Sequence, residues 1–169
     1  MANEDDKYTK PTVPRLQAVP PWYAIARAEL GTHEVAGAGD NPRIVEYLKA
    51  TNLHSKFWHD STAHCAAFVS WVMRESGLPN PRYASARLYL KYGTPLTAPR
   101  LGCITVLWRG DPHSGQGHVG FWVRDQGADM ILFGANQDND VRDKPYPRFR
   151  LLGFRLPPKI VTSGGVTPP

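Results

Sequence analysis

The apolar residues of this chain change their rhythm once, near residue 100, and that change limits what the chain can fold into. Before it they recur every three or four residues, as helices facing a core require; after it they alternate, as strands of a sheet require. "PPWYAIARAELG" puts Trp22, Ile25, Ala26 and Leu30 on one helical face, with Pro20 and Pro21 suited to its first turn and Gly31 to its end. In "NPRIVEYLKATN", Asn41 and Pro42 form a cap followed by a first-turn proline, and Ile44, Val45 and Leu48 line one side. A third helix runs through "CAAFVSWVMRESG", with Ser61 or Thr62 as its cap and Gly77 and Pro79 as its end. Cys65, Phe68, Val69, Val72 and Ser76 share one face, and Ala66, Ala67, Trp71 and Met73 fill much of the rest. A helix apolar nearly all round is central and buried. "ASARLYLKYG" suits a further short helix. "CITVLW" (103–108), "HVGFWV" (118–123), "MILFGAN" (130–136) and "FRLLGFRL" (149–156) then read as strands. Helices first and strands afterwards specify an α+β domain, its antiparallel sheet packed on the Cys65 helix.

With 169 residues the chain suits one domain with a full core. Residues 1–19 carry charge, Thr and Pro without an apolar period and read as a flexible leader. Residues 20–157 form the domain, and 158–169 a frayed tail. The net charge of +5 favours polyanions, but no Lys/Arg run with interleaved aromatics supports nucleic acid as a partner. No stretch approaches the about 18 apolar residues of a membrane span, and "MANEDDKYTK" lacks the basic end and apolar core of a signal peptide. The expectation is synthesis in a bacterial cytosol and export by another route. Cys65 and Cys103 are too few for a disulfide framework, although they could pair with each other, and no zinc-type spacing or cofactor motif is present.

A cysteine at the start of a helix sits among unpaired N–H groups, which stabilise thiolate and lower the thiol pKa; a backbone N–H there can also serve an oxyanion. Against this, cysteine is among the most buried residue types, so Cys65 alone reads more readily as packing. What changes the balance is a base. Of six histidines, His118 alone opens a strand directly after a Gly-rich turn, "SGQG". His64 adjoins Cys65 but points elsewhere on the helix. A hairpin centred on Gly127 sets His118 opposite Asn136, with Cβ atoms roughly 5 Å apart. An Asn there accepts the Nδ1 proton and leaves Nε2 facing the thiol; a two-residue shift offers Asp138 instead.

"NPRIVEYLKATN", "FWHDSTAHCAAFVSWVMRESGL", "GHVGFWV" and "GANQDNDV" resemble, in order and spacing, the NlpC/P60- and CHAP-like cysteine amidases and endopeptidases, over about residues 22–157. The resemblance implies a papain-like fold and hydrolysis of an amide bond in peptidoglycan. It implies Cys65 as nucleophile, His118 as general base, Asn136 as the residue orienting His118, and the Cys65 backbone N–H as an oxyanion donor. The pattern departs at His64, where relatives often carry an aromatic, and at "GCI", where an acidic residue is common. His64, Trp58, Trp122 and Tyr83 are candidate groove residues, core packing being the alternative for the aromatics. The implied setting is an interbacterial effector with an immunity protein, or a phage endolysin, acting as a monomer on the cell wall. Two competing readings are a non-catalytic wall- or partner-binding module and a structural Cys65–Cys103 disulfide.

Overall fold

The computed structural model describes residues 18–159, so the expected leader and nearly all of the expected tail lie outside the described residues. Pro20 precedes α1 (Pro21–Arg27), where a proline at the first position costs no helical hydrogen bond. Tyr23 and Ala26 turn inward. Leu30, expected on the same face, is 57% exposed because the helix has already ended. In α2 (Pro42–Lys49) the cap forms as expected, Asn41 Oδ1 accepting from Arg43 N–H at 2.8 Å. Glu29 ties the two segments together: it accepts from Arg43 Nε at 2.7 Å and Nη2 at 2.6 Å, and from the Tyr47 hydroxyl at 2.6 Å. Burial raises the Glu29 carboxyl, but these two partners outweigh it and hold it below its ordinary value.

α3 (Cys65–Glu75) is buried at every position from Cys65 to Met73. Its cap residue is His64 rather than Ser61 or Thr62, and no side chain closes the turn. The Thr62 hydroxyl donates instead to Phe57 O at 2.8 Å. Gly77, at φ 70°, ends the helix, with Leu78 N–H reaching back to Met73 O. Phe68 is fully buried and meets Tyr47, Phe121 and Phe133 edge-on, with ring centroids 5.1, 6.2 and 6.3 Å away.

Six strands follow: β1 (Thr94–Leu96), β2 (Ile104–Trp108), β3 (Gly117–Gln126), β4 (Asp129–Gln137), β5 (Asp140–Pro147) and β6 (Leu151–Leu156). They form one antiparallel sheet in the order β1-β6-β2-β3-β4-β5. The domain is therefore α+β, as the change of rhythm required. β1 and β5 were not expected. Between Ser85 and Tyr92 the chain makes a 3-10 helix, Ala86–Lys91, where a short helix was read.

The two faces of the sheet bury different things. Val106, Val119, Phe121, Phe133 and Ala135 pack with the helices in the main core. Leu107, Met130, Leu132 and Phe154 form a second cluster with Leu96, Trp122, Tyr146 and Leu151. That second cluster draws on all six strands, so it runs across one whole face of the sheet. Cys65 belongs to the first cluster and Cys103 to the second, and both are free thiols. The sheet stands between them, which removes the disulfide reading. Among the described residues, no helix is long and apolar enough to cross a membrane.

Candidate functional site

Two strands and one helix end converge on the candidate site. The β3–β4 hairpin turns at Gly127, φ 61°, and its first pairs are Gln126 with Asp129 and Arg124 with Ile131. A bulge at Val123 then shifts the register, so that Trp122 lies opposite Leu132 and Phe121 opposite Phe133. This is the register symmetric about Gly127 that carries His118 toward Asn136. A second irregularity intervenes before they meet. Asn136 adopts φ 57°, in the left-handed region, and the β4–β5 pairing slips between Gly134 and Gln137. Alternation breaks there, and the partner of His118 is Gln137, whose Oε1 lies 3.0 Å from Nε2. Neither Asn136 nor Asp138 is the bonding partner. Asp138 pairs with Lys144 and, at 3.5 Å, with Arg142.

The orientation of Gln137 settles the tautomer. Its Nε2 donates to Leu132 O at 3.3 Å and to Arg142 O, so Oε1 is the atom left for the imidazole. His118 Nε2–H is then the donor, and Nδ1 keeps its lone pair. The nitrogens have exchanged the roles expected from the sequence. The imidazole also stacks on Tyr146, with centroids 5.0 Å apart and planes at 26°. Burial brings His118 down to about 4, with the charges of Arg109, Lys144 and Arg150 adding to it and the Gln137 bond opposing it.

Cys65 occupies the first position of α3, and its thiol abuts β3 at the backbone N–H of Val119, the residue after His118. Strand alternation turns Val119 toward the helix and His118, opposite Leu107, toward the second cluster. Thiol and imidazole thus meet β3 at the adjacent residues Val119 and His118, from its two faces. Arg109 acts on both, and Tyr146, which stacks on His118, feels Cys65. Among the described residues, Cys65 Sγ makes no hydrogen bond to the imidazole. Burial pushes the thiol up, although the N–H groups of Val119, Ala66 and Cys65 all favour thiolate. The lowered thiol expected at a helix start is therefore not found, because loss of water outweighs the helix end.

His118 opens onto a cavity of about 320 Å³ lined by Leu107, Arg109, Asn136, Asp138, Lys144, Tyr146 and Arg150. Asn136 is thus at the site without orienting the histidine. His64 is not a groove residue: it is fully buried, with Nδ1 3.0 Å from Thr62 O and Nε2 without a partner. Trp58 packs half-buried on the main core and Trp122 on the second cluster; neither lines the cavity. Tyr83 packs edge-on against Tyr89 at 5.4 Å. The residues the sequence reading missed are Gln137, Tyr146 and the basic trio Arg109, Lys144 and Arg150. Three of them lie in "DKPYPRFR", whose alternation around two prolines was the available signal. No group of three or more His, Cys, Asp or Glu side chains among the described residues is arranged to hold a metal ion. No protein-family model matches this chain, and no curated protein is significantly similar to it.

Proposed function

We propose that the chain is a papain-like cysteine hydrolase cleaving an amide bond of bacterial peptidoglycan, as the resemblance to NlpC/P60- and CHAP-like enzymes implies. One observation carries the reading. The N-terminal turn of α3 brings Cys65 against the start of β3, where His118 has Nε2 engaged by Gln137 and Nδ1 free. In the reaction Nδ1 takes the thiol proton as sulfur attacks the amide carbonyl, and the Cys65 N–H faces the developing oxyanion. The imidazolium then protonates the leaving amine and a thioester remains. Water, deprotonated by the same nitrogen, hydrolyses it to acid and free thiol. Since burial disfavours both charged forms, the resting pair is neutral thiol and neutral imidazole, and the proton moves during attack.

Cys65→Ala and His118→Ala are expected to abolish release of fragments from purified sacculi while circular dichroism stays unchanged. Full release by either variant overturns the reading. Mass spectrometry of the released fragments identifies the bond cut. The biological setting we infer is a monomeric interbacterial effector, held in check by an immunity protein, or a phage endolysin. Directing the protein to the periplasm tests for lysis, and co-expressing the neighbouring open reading frame tests for an antidote.

A specific observation favours a second reading. The raised, buried Cys65 thiol suits a wall-binding module that keeps the fold without the chemistry. Sacculus binding without fragment release would establish that alternative.

A further inference from the structure

The cavity beside His118 has a charge pattern that the hydrolytic steps do not use. Four charged side chains line it, the acid Asp138 and the bases Arg109, Lys144 and Arg150. Asp138 is already committed to Lys144 and Arg142. Arg150 donates from Nε to Trp108 O at 3.1 Å and lies over the Trp108 ring at 5.2 Å, which fixes the guanidinium without neutralising it. Among the described residues, neither Arg150 nor Arg109 has an acidic partner. Two guanidinium groups therefore face one small cavity uncompensated.

We propose that this cavity is a carboxylate-binding subsite, in which Arg109 and Arg150 hold a free carboxylate of the peptide whose amide is presented to Cys65. The identity of that peptide rests on the proposed hydrolase reading; the anion site itself does not. Guanidinium is the side chain that matches a carboxylate with two parallel N–H bonds. Asp138 at the rim lowers the local charge, which suits a monoanion better than a phosphate dianion. A volume of about 320 Å³ holds one amino-acid-sized group, not a run of nucleotides. Tyr146 and Leu107 provide an apolar wall against which a short side chain can lie. A peptidoglycan stem peptide carries such carboxylates on residues adjacent to its amide bonds. Engaging one would set the register of the chain relative to the thiol, so the site bears on which bond is cut.

The test separates binding from turnover. Muropeptides released from sacculi by a muramidase are titrated into the full chain carrying Cys65→Ala, by calorimetry, alongside the same muropeptides amidated with carbodiimide and ammonia. The native muropeptides are expected to bind at least tenfold more tightly than the amidated ones. Arg109→Ala with Arg150→Ala is expected to erase the difference, and Arg109→Lys with Arg150→Lys to restore part of it. Thermal melts confirm that the variants remain folded, and Arg109→Gln alone supplies a milder variant should the double change unfold the chain.

Equal binding of the native and amidated sets overturns the proposal, as does absence of binding by the native set. Displacement by inorganic phosphate at concentrations where acetate does nothing reassigns the site to phosphate. Tighter binding of a short oligonucleotide, lost in the same arginine variants, reassigns it to nucleic acid. Hydrolysis of sacculi by the unmutated chain is measured separately. Charge-dependent binding without hydrolysis leaves the subsite standing and removes the enzyme reading.

Discussion

Both amide protons of Gln137 are committed to the carbonyls of Leu132 and Arg142, and this commitment passes to the neighbouring imidazole by fixing which of its nitrogens carries a proton. Gln137→Ala should therefore do more than empty a space. It leaves buried carbonyls and the His118 Nε2–H unpaired, for about 1–3 kcal/mol of stability by urea unfolding. It also frees the ring to rotate, so kcat on sacculi should fall about 10- to 100-fold with KM little changed. Asn136→Ala should leave kcat within about threefold, since Asn136 makes no bond to the ring. Equal losses in the two variants would argue that Gln137 does not orient His118.

The proton balance of His118 gives a second prediction at this scale. Its folded pKa, about 4, lies below the ordinary 6.5, so between those values the unfolded chain binds a proton that the folded chain refuses. Stability is complete above pH 6.5 and falls as the pH drops toward 4, by roughly 3 kcal/mol from this one group. Urea midpoints at pH 7 and pH 4.5 should differ accordingly, and His118→Gln should reduce the difference. For catalysis, kcat/KM should hold from neutral pH down to about 5 and fall near pH 4 as Nδ1 is protonated, with circular dichroism separating this from acid unfolding.

At the scale of elements, α3 combines two demands that rarely coincide: it is the most buried of the three α-helices, and it begins with the cysteine of the candidate site. Burial of Phe68 among the rings of Tyr47, Trp71, Phe121 and Phe133 sustains the first demand. Phe68→Ala should cost about 3–5 kcal/mol in urea unfolding, with the sheet-side rings Phe121 and Phe133 keeping only Tyr23 as a ring that both touch. A loss below about 1 kcal/mol would mean the helix is held chiefly by something else. The same burial is why the thiol is pushed up. Cys65 and Cys103 should both react slowly with a thiol reagent in the native chain and should both titrate in denaturant without reductant.

Much of this level was legible in the sequence, for physical reasons that can be named. Three helices were readable because their apolar faces, prolines and glycines agree. The β3–β4 hairpin was readable because both strands alternate around a glycine. Even its register came out right at the far end, although by two steps: a tighter closure at the turn, then a bulge at Val123 that restores it. What could not be read was the last residue of the site. "ANQDND" is a run of turn formers in which any of several could take the left-handed conformation, and Asn136, Asp138 and Asn139 all do. Which side chain then faces the imidazole depends on where the irregularity falls. β5 escaped for the opposite reason, since Pro145 and Pro147 argue against a strand unless it has only one neighbour. The burial of Cys65 was one of the two readings weighed, but its effect on the thiol was hidden, because a helix start looks the same in sequence whether water reaches it or not.

For the molecule as a whole, the sheet order leaves β1 and β5 as the outermost strands. β1 is three residues long with Pro95 at its centre, and β5 contains Pro145 and Pro147. A proline has no N–H to offer, so each interrupts the row of groups on which a strand from another molecule could add. The β5 margin is also covered at its start, where Gly31 N–H donates to Val141 O and Val141 N–H donates to Thr32 O, so the prolines interrupt the part that this segment leaves open. On this reasoning a concentrated solution of the chain should not zip the sheets of neighbouring copies together. Pro145→Val with Pro147→Val should reopen one margin, seen as concentration-dependent growth in light scattering where the unmutated chain shows none. The residues that concealed β5 in the sequence are thus the ones that interrupt its outer row of N–H groups.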